Sequence, residues 1–425
     1  MPTDINFHKM KKKIWLINQY AMPPQYEMRI QTLKRAYYLQ QLGHDVTIIS
    51  GSYLHNTDIN LISENKKFIK VNYEGINFVH FKTPSYKGNG IKRIWSSIWF
   101  PLSIILFSKP LEKPDVIAQI ATVPFGNLLF FYAKKIKAKY IVDVVDLWPE
   151  SFVAFGLMSK NNVLVKLAYI AERWLYKKAD AVIFSMEGGR DYIIEKKWNK
   201  ENKGPIDLNK VHYINNGVDL TDFNFNKTNY LIKDSDLENT SNFKVIYLGS
   251  IRLVNNVMQL ILAAELLKDH PSIKFLIYGD GDERPKLEQY CKEHKLSNII
   301  FKEKFVELKY VPYILSNSSL NLLNYKPSSI FRFGGSQSKS FQYMASGRPI
   351  CSNVKMAYCP ISKYNLGVSA DFNSPQEYAE AILQIANLPK KEYQNICENN
   401  KKAAELYDYK RLTGIFNEIV QQLFK

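Results

Sequence analysis

Cysteine is scarce in this chain and follows no pattern. The four thiols, Cys291, Cys351, Cys359 and Cys397, make no C-x-x-C pair and no zinc-like spacing with the histidines, which argues against a disulfide framework or a structural metal and for a reducing compartment. Long apolar runs are missing as well. The most membrane-like stretch, "IWSSIWFPLSIILF" at 94–107, contains Pro101 and three serines and is shorter than the roughly 20 residues that span a bilayer. Near the start, "KMKKKIWLINQY" holds only a four-residue apolar run, Ile14 to Ile17, so no secretory leader is expected and the chain is assigned to the cytoplasm.

Several catalytic signatures are also absent. There is no G-x-x-x-x-G-K-[ST] loop, no G-x-S-x-G elbow and no H-E-x-x-H helix, and "NQYAMPPQYEMR" stands after the first strand in place of G-x-G-x-x-G. These gaps disfavour a P-loop hydrolase, a serine esterase, a zinc protease and a nicotinamide dehydrogenase. Acid is in short supply: Lys+Arg 57 against Asp+Glu 40 leaves a net charge of +17, which favours an anionic partner. The basic residues are dispersed and no nucleic-acid-reading motif is visible, so no nucleic acid is expected. A phospholipid surface or a phosphorylated small molecule remains.

What the chain does have is length and alternation. Its 425 residues exceed one ordinary core, and 46% hydrophobic content supplies two. "IWLI", a helix with Ile30, Leu33 and Tyr37 on one face, and "VTIIS" form a βαβ unit. "DVIAQIA", "YIVDVV", "AVIFS" and "VHYI" continue the alternation, which predicts a parallel sheet covered by helices. Asp222 to Asn242 is polar, Asn-rich and aperiodic, and reads as a linker. Strands then restart with "FKVIYLGS", "IKFLIYG", "NIIF", "LNLL", "PICSNV" and "GVSA", and Ser374-Pro375-Gln376-Glu377 opens a helix as a capping box. The expected fold class is α/β, with two doubly wound, Rossmann-like domains facing a central cleft. Ligands of such folds sit at the carboxyl ends of the strands, so the cleft is the expected site.

One stretch in the second half carries a chemical signal of its own. In "SQSKSFQYMASGRPI", 336–350, Phe341, Met344 and Ala345 mark the buried face of a short helix, with Ser338 near its N-cap and Gly347 just past its end. Unpaired N–H groups at a helix start, joined by Lys339, suit a phosphate; the alternative is a solvated lysine beside serines that only cap. Asp280-Gly281-Asp282 could pass for a metal-diphosphate signal, but its place between strand and helix makes a tight turn the better reading.

Five blocks in order resemble glycosyltransferase family 4, the retaining enzymes with the GT-B fold: "DVVDLWPESFVAFG", "INNGVD", "YLGSIRLVNNVMQLILAAELL", "IYGDGDERPKLEQY" and "SQSKSFQYMASGRPI". Asp-Leu-Trp-Pro-Glu-Ser resembles the branch that builds bacterial O-antigen and capsule, including N-acetylfucosamine transferases. The resemblance implies an acceptor-binding domain at 1–225, a sugar-nucleotide domain at 226–407, and a C-terminal helix at about 408–425 that packs back on the first. It places the donor diphosphate against Gly249, Arg252, Ser338, Lys339 and Ser340, and the ribose and base near Gln342 and Phe305. Charge on the leaving group is then met by cations and backbone dipoles, with neither metal nor cofactor required.

In the first domain, the resemblance and strand direction point to Asp146 and Glu150 as groups that orient the acceptor hydroxyl or take its proton, with Asn18 and Arg29 on the acceptor side. The sequence departs from the family where E-x7-E falls on Gly334 and Gln342, and where Asn255 replaces a lysine. The expected function is transfer of a sugar from a UDP-sugar to a polyprenyl-diphosphate-linked glycan. The protein would work as a peripheral enzyme on the inner face of the plasma membrane, touching anionic lipid through Arg93, Trp95 and Trp99. A UDP-sugar epimerase or hydrolase of the same fold, and a non-catalytic partner subunit, are the alternatives.

Overall fold

A computed structural model describes residues 11–26, 30–88, 90–121 and 125–425. Two compact units divide the chain: residues through Asn215 together with Tyr409–Lys425, and Asn216–Asp408.

The strands of unit 1 are β1 (Lys13–Ile17), β2 (Asp45–Gly51), β3 (Phe68–Tyr73), β4 (Ile76–Phe81), β5 (Val116–Ile120), β6 (Lys139–Val144), β7 (Ala181–Phe184) and β8 (Val211–Tyr213). Among the described residues they form one sheet in the order β3-β4-β2-β1-β5-β6-β7-β8, parallel except for the β3–β4 pair. β1 lies between β2 and β5, with Leu16 opposite Ile48 on one side and Ala118 on the other. Ile14 to Ile17 are all buried, as strands covered on both faces require.

The helix Gln31–Gln41 buries Leu33, Ala36 and Leu39, while Tyr37, expected on that face, is 42% exposed. The buried stripe runs one position away from the expected one, because Arg35 also turns inward. Arg35 pairs with Asp143 of β6 and lies 4.8 Å over the ring of Phe416, on the C-terminal helix Tyr409–Gln422. With the His44–Asn417 hydrogen bond of 2.8 Å, these contacts hold the last helix on unit 1.

Unit 2 contains β9 (Phe243–Leu248), β10 (Ile273–Tyr278), β11 (Ile299–Phe301), β12 (Leu320–Leu323), β13 (Ile350–Ser352) and β14 (Gly367–Ser369). Its strands are parallel, in the order β11-β10-β9-β12-β13-β14. The predicted cap is present with one shift: Ser374 Oγ accepts from Glu377 N at 3.2 Å, while Glu377 Oε2 reaches past the N-cap to accept from Asn373 N at 2.8 Å. Helices cover a wholly or mostly parallel sheet in each unit, which makes both units α/β and Rossmann-like.

The expected linker is instead folded into unit 2. Helices Leu220–Asn229 and Ser235–Glu238 occupy it, capped by the side chains of Asp219 and Asp234. Phe223 and Leu237 sink into the core of that unit. Lys302 clamps the second helix through Asp234 at 2.8 Å and Asp236 at 2.7 Å. One buried side chain per helix is too sparse for a period to show, and the start of unit 2 lies ahead of residue 225 for this reason.

Candidate functional site

The order of unit 2's strands changes direction between β9 and β12, since the chain runs outward to β10 and β11 from one and to β13 and β14 from the other. Ligands of open parallel sheets sit at the carboxyl ends of strands beside such a point. Gly249 directly follows β9 there. Its φ of +156° and its closeness to Lys339 both call for glycine: a Cβ at this position would overlap Lys339 Nζ. Gly279, after β10 at φ +120°, sits so close under the same loop that a Cβ would strike Gly249 O. The second glycine turn therefore supports the first. Ile251 N reinforces this by donating to Asp280 O at 2.8 Å.

Lys339 comes from the helix Ser338–Ser346, which buries Phe341, Tyr343 and Met344 and holds its start at the same strand ends. Tyr343 fixes that placement by donating to Leu322 O of β12 at 3.2 Å. Among the described residues no hydrogen bond or ion pair engages the Lys339 ammonium; it lies 5.0 Å over the Tyr247 ring. Burial pushes its pKa down to about 8. An enclosed cation, a helix start without a side-chain cap and a glycine turn thus converge on one spot. That combination can accept the oxygens of a phosphate or diphosphate.

The other expected donor-side residues are distributed around it. Gln337, and not Ser338, is the N-cap; Ser338 is the exposed first residue of the helix. Ser340 is buried and donates its hydroxyl to Gln337 O at 2.7 Å, so that proton is already committed. Arg252 is exposed, at the start of the 3-10 turn Leu253–Asn255. Asn255 is buried and accepts from Ser250 Oγ at 2.9 Å, which makes it a brace for the glycine loop. Gln342 follows Lys339 by one helical turn and is half-buried. Gly334 ends the 3-10 helix Ser329–Phe333 at φ +85°. Phe305 is 66% exposed in the loop after β11.

In unit 1, Asn18 directly follows β1, at the corresponding change of strand order between β1 and β5. Its side chain is used within the loop, donating to Thr32 Oγ1 at 2.9 Å and accepting from Tyr20 N at 3.1 Å. Arg29 lies outside the described residues. Asp146 is exposed just past β6. Glu150 requires a correction as a catalytic candidate: it is 6% exposed and accepts from Tyr169 OH and Lys196 Nζ, each at 2.5 Å. The Lys196 ammonium also lies over the rings of Tyr169 at 4.2 Å and Tyr192 at 5.4 Å, so this carboxylate is already engaged by an ion pair set among tyrosines.

Trp95 and Trp99 lie on the helix Ile91–Phe107, stacked 6.2 Å apart. Trp95 is 51% exposed, whereas Trp99 donates its Nε1–H to Lys82 O at 3.1 Å. Arg93 is half-buried and folds over the Tyr20 ring at 5.4 Å. Among the described residues no helix is long and apolar enough to cross a membrane.

The sequence reading missed Tyr247 and the nesting of Gly279 under Gly249. Tyr247 looks like core in "FKVIYL", yet its position two residues before a glycine puts it at the strand end; the nesting needs the β9–β10 register, which no local pattern reveals.

Comparison with known proteins agrees with this geometry. Residues 231–403 match the family model described as Glycosyl transferases group 1. The matched stretch lies within unit 2, and with the structural neighbours below it assigns the fold to the GT-B class. Sucrose-phosphate synthase from Thermosynechococcus elongatus shares the fold at TM-score 0.69 and 14% identity, over 97% of this chain and 99% of its own. A glycosyltransferase from Rickettsia africae does so at TM-score 0.67 and 17% identity, over 98% and 99%. HepE of Anabaena, in complex with UDP-glucose, aligns at TM-score 0.62 and 14% identity, over 97% and 99%. No curated protein sequence matches the chain.

Proposed function

We infer that the protein transfers a sugar from a nucleotide-sugar, with UDP as the nucleotide, to a lipid-linked glycan in bacterial capsule or O-antigen assembly, with retention of anomeric configuration. The observation that carries this reading is the Lys339 ammonium against Gly249 at the carboxyl end of β9, engaged by no hydrogen bond or ion pair among the described residues. A diphosphate placed there meets that cation, the N–H groups of the Ser338–Ser346 helix and the exposed Arg252. These groups stabilise negative charge as the bond from sugar C1 to the diphosphate oxygen breaks. Gln342 and Phe305 then serve the ribose and base, and HepE, of the same fold, was solved in complex with UDP-glucose.

Asp146 is the solvent-exposed carboxylate of the expected pair, beyond the end of β6. Its role in this reading is to orient the acceptor hydroxyl or take its proton. The lipid-linked acceptor is favoured by the helix Ile91–Phe107, which buries Ser96 and Ser103 while leaving Ile91, Ile94 and Trp95 half or more exposed. Such a helix lies in the headgroup layer and seats the enzyme peripherally on the cytoplasmic face.

Calorimetric titration with UDP tests the donor seat, and absence of heat would leave a non-catalytic subunit as the reading. Incubation of a UDP-sugar alone separates the transferase from an epimerase or hydrolase: a new sugar, or free sugar released at the full rate without acceptor, contradicts transfer.

A further inference from the structure

Three helices of unit 1, Ile91–Phe107, Asn127–Ile136 and Val163–Lys178, pack in series on one face of the sheet. The middle one anchors the layer: Tyr132 stacks 6.3 Å from Trp15 of β1, and Phe130 lies 5.8 Å from Tyr140 of β6. The third is apolar on both faces: it buries Val165, Leu175 and Tyr176 inward. Its inner face buries Glu172 completely, between the hydroxyls of Tyr176 at 2.8 Å and Tyr192 at 2.7 Å. Its outer face shows Val163, Leu164, Leu167 and Ile170, each 56–69% exposed, at helical spacing. Leu157, in the preceding loop, is 70% exposed, and Phe131 on the middle helix 59%.

Charge identifies the occupant. Residues 91–107, 127–136 and 151–178 contain nine Lys or Arg and a single acid, the buried Glu172. An apolar stripe among cations with no exposed carboxylate complements an anionic, partly apolar phase. A second copy of the chain would bring the same cations face to face, which opposes a symmetric dimer.

We propose that the outer face of Val163–Lys178, with Leu157 before it, is a second membrane-docking element that seats unit 1 on anionic lipid alongside Ile91–Phe107. This rests on the peripheral-membrane reading of the function. With two elements engaged, the sheet face they cover lies against the bilayer, and the protein cannot pivot about a single helix.

The test is co-sedimentation of the full chain with vesicles of phosphatidylcholine alone and with phosphatidylglycerol added, at low salt. Two triple variants are compared: Leu164→Ser with Leu167→Ser and Ile170→Ser, and Ile91→Ser with Ile94→Ser and Trp95→Ser. All six positions are exposed, so the melting temperature should stay near that of the wild type and reports folding independently. The expected result is binding to the anionic vesicles only, weakened by about tenfold or more in either variant, since partitioning follows buried apolar area. Unchanged binding by the 164/167/170 variant, with loss in the other, overturns the second element and leaves the first standing. No binding by the wild type overturns both. Loss of a dimer in the 164/167/170 variant, seen by light scattering, would make a second copy the occupant and also overturn the proposal.

Discussion

The Lys339 ammonium lies 5.0 Å over the ring of Tyr247, whose hydroxyl donates to Ser250 O at 2.6 Å. One aromatic side chain therefore supports both the cation and the loop that faces it. Lys339→Ala removes the charge while leaving the loop braced by Tyr247. UDP binding should weaken by about 1.5–3 kcal/mol, the range of a charge-assisted hydrogen bond. Calorimetry reads this directly, and unchanged affinity would clear Lys339 of the role.

The same cation makes nucleotide binding depend on pH. Burial lowers its pKa to about 8, so in the free protein the ammonium is intact at pH 7 and largely lost by pH 9.5. The charged form is the one that attracts a diphosphate, and affinity for UDP should fall as pH rises through about 8. Titration of the terminal phosphate, near about 6, is complete below that window and cannot mimic the loss. Lys339→Ala should flatten the profile between pH 7 and 9.5; a slope of equal size in the variant would assign it to another group.

Two glycines separate binding from folding. At Gly249 an added methyl meets the end of a flexible lysine, which can move away, so Gly249→Ala should displace the ammonium and weaken UDP binding at a stability cost of about 1–2 kcal/mol. At Gly279 it meets a backbone carbonyl that cannot move without the loop. Gly279→Ala should cost more than 2 kcal/mol, in the range of overpacked sites. Denaturant melts beside UDP titrations check the pair, and equal stability losses would contradict the geometric distinction.

Asp146 and Glu150 predict opposite behaviours from one short loop. Asp146→Asn should lower the transfer rate by about 10²–10⁴-fold, as loss of a general base does, with UDP binding unchanged. Glu150→Gln leaves Lys196 buried without its counter-charge, and should lower stability by about 3 kcal/mol or more. Rate and melting temperature measured on both variants decide between the assignments.

Most of the fold was legible because strands covered on both faces must be near-continuous apolar runs, as "IWLI" in β1 and "VIYL" in β9 are. Lys339 was legible because a lysine in the first turn of an amphipathic helix has a direct electrostatic meaning. Glu150 was not: its sequence neighbours place it in a loop, while its partners Tyr169 and Lys196 lie 19 and 46 residues away. The helices at 220–238 escaped for a different reason, since capping aspartates and one buried side chain apiece leave a polar stretch without period. Local patterns report which face is buried; they do not report which distant group neutralises a charge.

Glu172 shows how such a distant arrangement becomes measurable. It is fully buried between Tyr176 and Tyr192, and burial pushes its carboxyl pKa up to about 8, opposed by the hydrogen bonds from Tyr192 and Tyr176 and then by Lys196. The folded state therefore holds a proton that the unfolded chain, ionising near 4.5, gives up. This contribution to stability is complete below about pH 4.5 and is lost as pH rises toward 8, on the order of 5 kcal/mol across the window. Glu172→Gln keeps the shape and one acceptor oxygen, turns an N–H donor toward the other tyrosine's hydroxyl oxygen, and cannot ionise. Its stability should lack that decline, so that it overtakes the wild type by pH 8 to 9 in melts taken across the range; parallel curves for the two proteins would show that Glu172 stays charged in the fold.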